Sequence, residues 1–258
     1  MKTRFESKWA NRAAQAGVTL AAVGLFLLIR PDTYAYAKDH LRADYQREII
    51  TPKLIDAYVR ANHDVKVQVG AGTGNLPGWL NTDIEPTENQ AYLDATKPLP
   101  FIDGSVHYIF GEHVIEHVSY EDAVLFLKES HRVLAPGGKI RMVTPNLLQF
   151  VALLDPKTPE QKQVIDQYIP KKLDFHFWPN TPDPACYIIN NEMRSWGHQF
   201  VYTPTMLRAS FERAGFTQIR QYTAGETDDA VLKGVEMRPR TEFSGMNAYE
   251  AMAFEATK

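Results

Sequence analysis

Cysteine is almost missing from this chain: Cys186 is the only one in 258 residues. An intrachain disulfide is therefore impossible, and so are cysteine-cage zinc and iron–sulfur sites; a disulfide-stapled secreted module is excluded. A strong charge of either sign is missing too. Lys plus Arg number 28 against 31 Asp plus Glu, a net charge of −3, without the basic excess of a general nucleic-acid binder. No GxSxG nucleophile elbow occurs, and no His/Asp/Glu spacing in the sequence reads as a metal site. Apolar residues at 44% and charged residues at 23% are ordinary for a globular protein, which excludes a disordered or collagenous chain. The length suits one domain with insertions.

Long uncharged runs are rare, with one exception at Ala13–Ile29, flanked by Arg12 and Arg30. It has the length of the shortest membrane-spanning helices. Its strongly apolar residues contribute roughly −0.5 kcal/mol each, about −4 kcal/mol together, offset by Gln15, Thr19 and two glycines. Three readings stay open: a membrane anchor, a hydrophobic helix packed on a protein surface, or a cleaved signal ending near Ala35-Tyr36-Ala37. Four basic residues lie on each side, so charge does not set an orientation. We treat residues 1–37 as a possible attachment segment and 38–64 as a helical lead-in, with a break expected at Thr51-Pro52.

The chemistry begins beyond Val65. A short strand, Lys66–Val69, runs into Gly70-Ala71-Gly72-Thr73-Gly74, a loop whose glycines permit positive φ and close backbone approach to a ligand. A second strand over Leu80–Ile84 carries Asp83 near its end, where a carboxylate can accept hydrogen bonds from ribose hydroxyls. Asp83 follows Gly72 more closely than the spacing of about 20 in a dinucleotide fingerprint, so the intervening helix must be short. Then come Asp94-Ala95, a strand from Val106 ending near Glu112-His113, a helix over Tyr120–Ala135, Pro136-Gly137-Gly138, and a strand over Lys139–Val143. Strands alternating with helices and loops predict a parallel α/β sheet.

The ordered set VQVGAGTGN, GWLNTDI, LDATKPLPF, IFGEHVIEHV, RVLAPGGKIRMVTPNL, WGHQFVY and ERAGF resembles the class I S-adenosylmethionine (SAM)-dependent methyltransferases. It is most similar to a bacterial subgroup described in general terms as predicted methyltransferases. The resemblance covers 65–258 and implies a Rossmann-like sandwich with a mostly parallel seven-stranded sheet and helices on both faces. SAM is then the cofactor. Gly70, Ala71 and Gly72 would shape its methionine side, Asp83 and Ile84 its ribose, and Asp94 and Ala95 its adenine, while Glu112 and His113 line the methyl face. Two positions depart from the family. Gln68 stands where many members carry an acid, and Val106-His107 replaces the commoner Phe-Asp.

An insert near 147–203, rich in proline and aromatics over 171–189, is expected at the acceptor side. His198 is the candidate acid/base group there; a histidine bonded to backbone is the alternative. His113 is weighed for the same task, His117 as a capping or packing residue, and Glu112, Glu226, Asp228 and Asp229 as acceptor contacts. Together these features predict methyl transfer from SAM to a small-molecule, sugar or lipid-linked acceptor, with no nucleic-acid partner. The catalytic domain is expected in the cytoplasm, with membrane association through 13–29. The alternatives are a non-catalytic SAM-binding or membrane-associated interaction protein and, less favoured by the short glycine-to-acid spacing, a nicotinamide-dependent oxidoreductase.

Overall fold

The computed structural model describes residues 41, 43–172, 182–236 and 249–258. The apolar run Ala13–Ile29, the segment 1–37 and residues 173–181 of the insert lie outside the described residues. Among the described residues no helix is long and apolar enough to cross a membrane. The chain divides into two compact units, Met1–Pro52 and Lys53–Lys258. In the first, Gln46–Ile50 forms one π-helical turn, with the Thr51 N–H donating to the Gln46 carbonyl. The widened turn stands just before Pro52, whose ring would clash with a carbonyl four residues back and which offers no N–H of its own.

The second unit is built on a seven-stranded sheet. Its strands are β1 (Lys66–Val69), β2 (Leu80–Asp83), β3 (Ala91–Tyr92), β4 (Val106–Glu112), β5 (Leu134–Pro145), β6 (Thr217–Thr223) and β7 (Ala251–Thr257). The spatial order is β3-β2-β1-β4-β5-β7-β6. The first five strands pair in parallel, while β7 runs antiparallel to both β5 and β6. The mostly parallel sheet expected from the sequence is present, and its order turns back between β1 and β4, where such sheets bind ligands at their carboxyl ends. The strand expected over Lys139–Val143 is longer at both ends, and an irregularity between Val106 and Tyr108 absorbs the extra residues.

The helices are α1 (Thr51–Ala61), α2 (Tyr120–Val133), α3 (Leu147–Ala152), α4 (Pro159–Lys172), α5 (Pro184–Arg194) and α6 (Pro204–Arg213). Their starts are written in the sequence. Ser119, Asn146, Asp183 and Thr203 each cap a helix by accepting a backbone N–H, and Pro184 and Pro204 occupy first-turn positions, where proline loses no helical hydrogen bond. Side chains alternate across the strands. Ile109, Ile140, Met142, Met252 and Phe254 therefore share one face with Phe126 and Leu127 of α2 and Leu207 and Phe211 of α6. Phe110, Val143 and Ala253 pack on the other with Leu76, Trp79, Leu232 and Val235. The insert has a small core of its own, in which Phe150, Leu153, Val164, Ala185 and Ile188 surround Tyr249.

One departure, Val106-His107, has a structural task. The His107 N–H donates to the Val65 carbonyl at 2.8 Å, and its Nδ1 accepts the Val65 N–H at 3.1 Å, fixing the start of β1 against β4.

A charged group is also buried in the sheet. Arg141 is wholly enclosed; it donates from Nη1 to Glu255 of β7 at 2.5 Å and from Nε to Glu236 at 2.8 Å. Removing the guanidinium would strand two buried carboxylates. Arg141→Leu is expected to destabilise the domain by about 3–5 kcal/mol, read as the shift in a urea unfolding curve.

Candidate functional site

The link from β1 to β2 is the unusual part of the sheet. Parallel neighbours are normally joined by a crossover of a dozen or more residues, often a helix, but here residues 70–79 form only turns. The expected short helix is absent. Without a helix the backbone N–H and C=O groups need other partners, and three amide side chains supply them. Gln68 donates to the Gly74 carbonyl at 3.0 Å and accepts the Leu76 N–H at 3.1 Å. Asn81 accepts the same N–H at 2.8 Å and donates to the Leu76 and Trp79 carbonyls, both at 3.2 Å. Gln90 donates to the Gly72 carbonyl at 2.8 Å and to the Asn75 side chain at 2.7 Å. Tyr58 of α1 adds a bond to the Gly78 carbonyl. Gln68 is thus occupied at both ends of its amide by the loop.

The loop forms one side of a cleft of about 940 Å3, within the range of roughly 300–1,000 Å3 typical of small-molecule and cofactor sites. All nine residues expected to contact the cofactor line it: Gly70, Ala71, Gly72, Asp83, Ile84, Asp94, Ala95, Glu112 and His113. Asp83 bridges the two strand ends, its Oδ2 accepting the Gly72 N–H at 2.8 Å and its Oδ1 the Glu85 N–H at 2.9 Å. Asp94 is oriented by the Thr96 N–H and hydroxyl. Gly70 and Gly72 both have positive φ, +66° and +54°. A methyl group on Gly70 would stand 2.4 Å from Val114, whereas one on Gly72 meets nothing within 4 Å, so the Gly72 backbone is open to a ligand.

The opposite wall is charged. His113, directly after β4, adopts φ +55°, a left-handed conformation uncommon outside glycine. The fold holds it there through a 2.8 Å bond from its N–H to the Val143 carbonyl. Its Nδ1 stands 2.9 Å from Oε1 of Glu116, and both side chains are buried. Thr144 donates to the other Glu116 oxygen at 2.9 Å. Burial alone would push the Glu116 carboxyl up, but the facing His113 ring outweighs it and holds the carboxyl below its ordinary value. Nearby Tyr202 is fully enclosed, and burial pushes its phenol up.

His198 does not line the cleft, but its neighbours do. Its Nδ1 lies 2.6 Å from the Glu192 carbonyl, and its ring meets His117 edge-on at 4.8 Å between centroids. His117 and Gln199 are both part of the cleft wall. Asp228 and Asp229 lie elsewhere, paired with Arg220 and Lys139 around a separate 140 Å3 pocket beside β6 and β7. Gln199 and the bracing amides Asn81 and Gln90 were not singled out in the sequence. The signal for the amides was a glycine loop too short for a helix yet flanked by Gln and Asn.

A parallel sheet that reverses between β1 and β4, with a glycine loop and a carboxylate at the reversal, defines a Rossmann-like nucleotide-binding domain. Residues 67–142 match the sequence profile of a family described as a methyltransferase domain, less than a third of the chain. No curated protein matches the sequence. Among solved structures the chain is similar to a SAM-dependent methyltransferase from Mesorhizobium loti. The identity is 16%, over 78% of this chain and 95% of that one, with a TM-score of 0.46. It is also similar to one from Archaeoglobus fulgidus, at 17% identity over 82% and 94% with a TM-score of 0.42. The profile match over 67–142 supports a methyltransferase domain that uses SAM as its cofactor.

The two loop glycines should separate stability from ligand access. Gly70→Ala is expected to cost about 2–4 kcal/mol, from the positive φ and the overlap with Val114. Gly72→Ala should cost only about 1–2 kcal/mol from the backbone alone yet weaken SAM binding. Urea unfolding and SAM titration of both variants check this ordering.

Proposed function

We propose that the protein moves the methyl group of SAM to a hydroxyl or amine on a small-molecule, sugar or lipid-linked acceptor. The observation that carries this reading is the gathering of strand-end residues from β1, β2 and β4, with Asp94 and Ala95 after β3, around one cleft. Gly70, Ala71 and Gly72 cradle the methionine part, Asp83 and Ile84 hold the ribose, and Asp94 and Ala95 flank the adenine. Glu112 and His113 form the methyl face. The acceptor approaches along the edge made by His113, His117 and Gln199, with His198 acting from the acceptor side.

Bound SAM supplies a methyl carbon already activated by a sulfonium. The protein's part is to orient the acceptor in line with the carbon–sulfur bond, to exclude water, and to take a proton where the acceptor is a hydroxyl. Such chemistry needs no strong nucleophile from the protein.

The 1–37 segment is proposed as an attachment region distinct from the catalytic domain. SAM is made in the cytoplasm, so the catalytic domain is placed there, with Ala13–Ile29 spanning or lying on the membrane.

Isotopically labelled SAM offered with lipid, sugar and small-molecule extracts is expected to yield a labelled product. In the same assay Asp83→Ala should weaken SAM binding about 10- to 150-fold, the equivalent of roughly 1.5–3 kcal/mol. Asp83→Asn, which keeps an oxygen for the Gly72 N–H, separates loop support from ribose binding: it should lose less. Unchanged affinity in both variants would remove Asp83 from the cofactor site, and SAM binding without transfer to any extract would favour a non-catalytic SAM-binding protein.

Deletion of residues 1–37 is expected to release the protein from the membrane fraction while SAM affinity and melting temperature stay close to those of the full chain. Loss of both folding and binding would make the apolar run part of the packed protein.

A further inference from the structure

Glu116, His117 and His198 converge at the cleft wall, one ligating atom from each lying within 4.8 Å of the others. They come from distant parts of the chain that the fold sews together. The Gln199 and Phe200 N–H groups both donate to the Glu116 carbonyl, at 2.7 and 3.2 Å, and the Gln199 side chain donates to the His117 carbonyl at 2.8 Å. No sequence spacing could reveal this group, since His198 lies some eighty residues from its partners.

Two features are left over by the cofactor cleft. Thr144 satisfies Oε2 of Glu116; the buried Oε1 makes no full hydrogen bond among the described residues and has the His113 Nδ1 beside it at 2.9 Å. A buried carboxylate oxygen in that state is costly unless a cation or water completes it. The second feature is the tautomer of His198. A carbonyl only accepts, so the 2.6 Å contact with Glu192 places the proton on Nδ1 and leaves the Nε2 lone pair free to bind. Metal-binding histidines are commonly held in this way, the other ring nitrogen donating to a carbonyl or carboxylate. The Glu192 carboxylate, 3.6 Å from the same nitrogen and itself buried, adds negative potential behind the ring.

We propose that Glu116, His117 and His198 bind a divalent transition-metal cation at the acceptor edge of the cleft. Two imidazoles and one carboxylate suit Zn2+, Co2+, Mn2+ or Fe2+, whereas Mg2+ and Ca2+ favour all-oxygen sites. Three protein ligands leave open positions for water or an acceptor oxygen, and His117 belongs to both the triad and the cleft. The role of the cation rests on the methyltransferase reading, although the site itself does not. An acceptor hydroxyl bound to the cation releases its proton to solvent more readily. Its oxygen then forms the bond to the methyl carbon as the carbon–sulfur bond breaks, the electron pair stays on sulfur, and S-adenosylhomocysteine leaves neutral.

The test is a Co2+ titration of the full chain after treatment with a chelator, followed by visible absorption, with SAM affinity and circular dichroism measured on the same samples. One Co2+ per chain is expected, displaceable by Zn2+, with Zn2+ also raising the melting temperature. His117→Ala, His198→Ala and Glu116→Gln should each weaken Co2+ binding at least about tenfold, as removal of a ligand or its support does elsewhere, while the fold and SAM binding persist. If the wild type takes up no stoichiometric Co2+, or if all three variants bind it as the wild type does, the site does not exist. Should a variant fail to fold, the wild-type titration and Zn2+ stabilisation still decide. Co2+ binding in a protein that ignores SAM would support the cation site and overturn the methyltransferase reading alone.

Discussion

The domain depends on how residues 70–79 cross from β1 to β2 without a helix. The backbone groups of a helix satisfy each other, whereas those of a bare loop at the edge of a core must find partners or cost roughly 1–3 kcal/mol apiece. Gln68, Asn81 and Gln90 act as external rungs, each reaching from a strand or the turn before β3 into the loop. With the loop pinned, Leu76 and Trp79 are pressed onto Phe110, Val143 and Ala253, so the same segment shapes the cleft on one side and closes the core on the other. This arrangement accounts for an amide at Gln68. A carboxylate could accept the Leu76 N–H but could not donate to the Gly74 carbonyl.

The cleft has two walls of different character. The glycine wall is backbone held by neutral amides, and Asp83 is its charged member beside Gly72. The histidine wall is a dense set of titratable groups sewn to the segment 198–202 by main-chain bonds. Leu147 donates to the Tyr202 carbonyl at 2.9 Å and Gln199 to that of Glu116, so the turn after β4, the start of the insert and the approach to α6 are tied together. The positive φ of His113 belongs to this construction: a strand that must end and redirect its side chain within one residue has few other conformations.

Much of this could be read in the sequence because each signal was local. The caps Ser119 and Thr203, the run from Val69 into Gly70 and Gly72, and the strand carrying Asp83 all act within a few residues. The missing helix was half visible in the short distance from Gly72 to Asp83; its replacement by side chains was not, since nothing in a lone Gln or Asn says which carbonyl it will meet. The convergence of His117 with His198 and the Glu192 contact arise only from three-dimensional packing. Asp228 and Asp229 were misleading for the opposite reason, as their acidity serves Lys139 and Arg220.

The position of β7 bears on how the protein comes into being during synthesis. Although β7 is the last of the seven described strands to leave the ribosome, it lies between β5 and β6, and β6 pairs with no other strand in the described sheet. Until residues 251–257 emerge, β5 has an open edge of unpaired N–H and C=O groups, and β6 has nothing to join. Such edges are templates for pairing with another chain. The nascent sheet therefore carries its greatest exposure to aggregation just before β7 appears, and a pause at that point would leave a cleft already threaded through β1, β2 and β4 beside a sheet that cannot yet close.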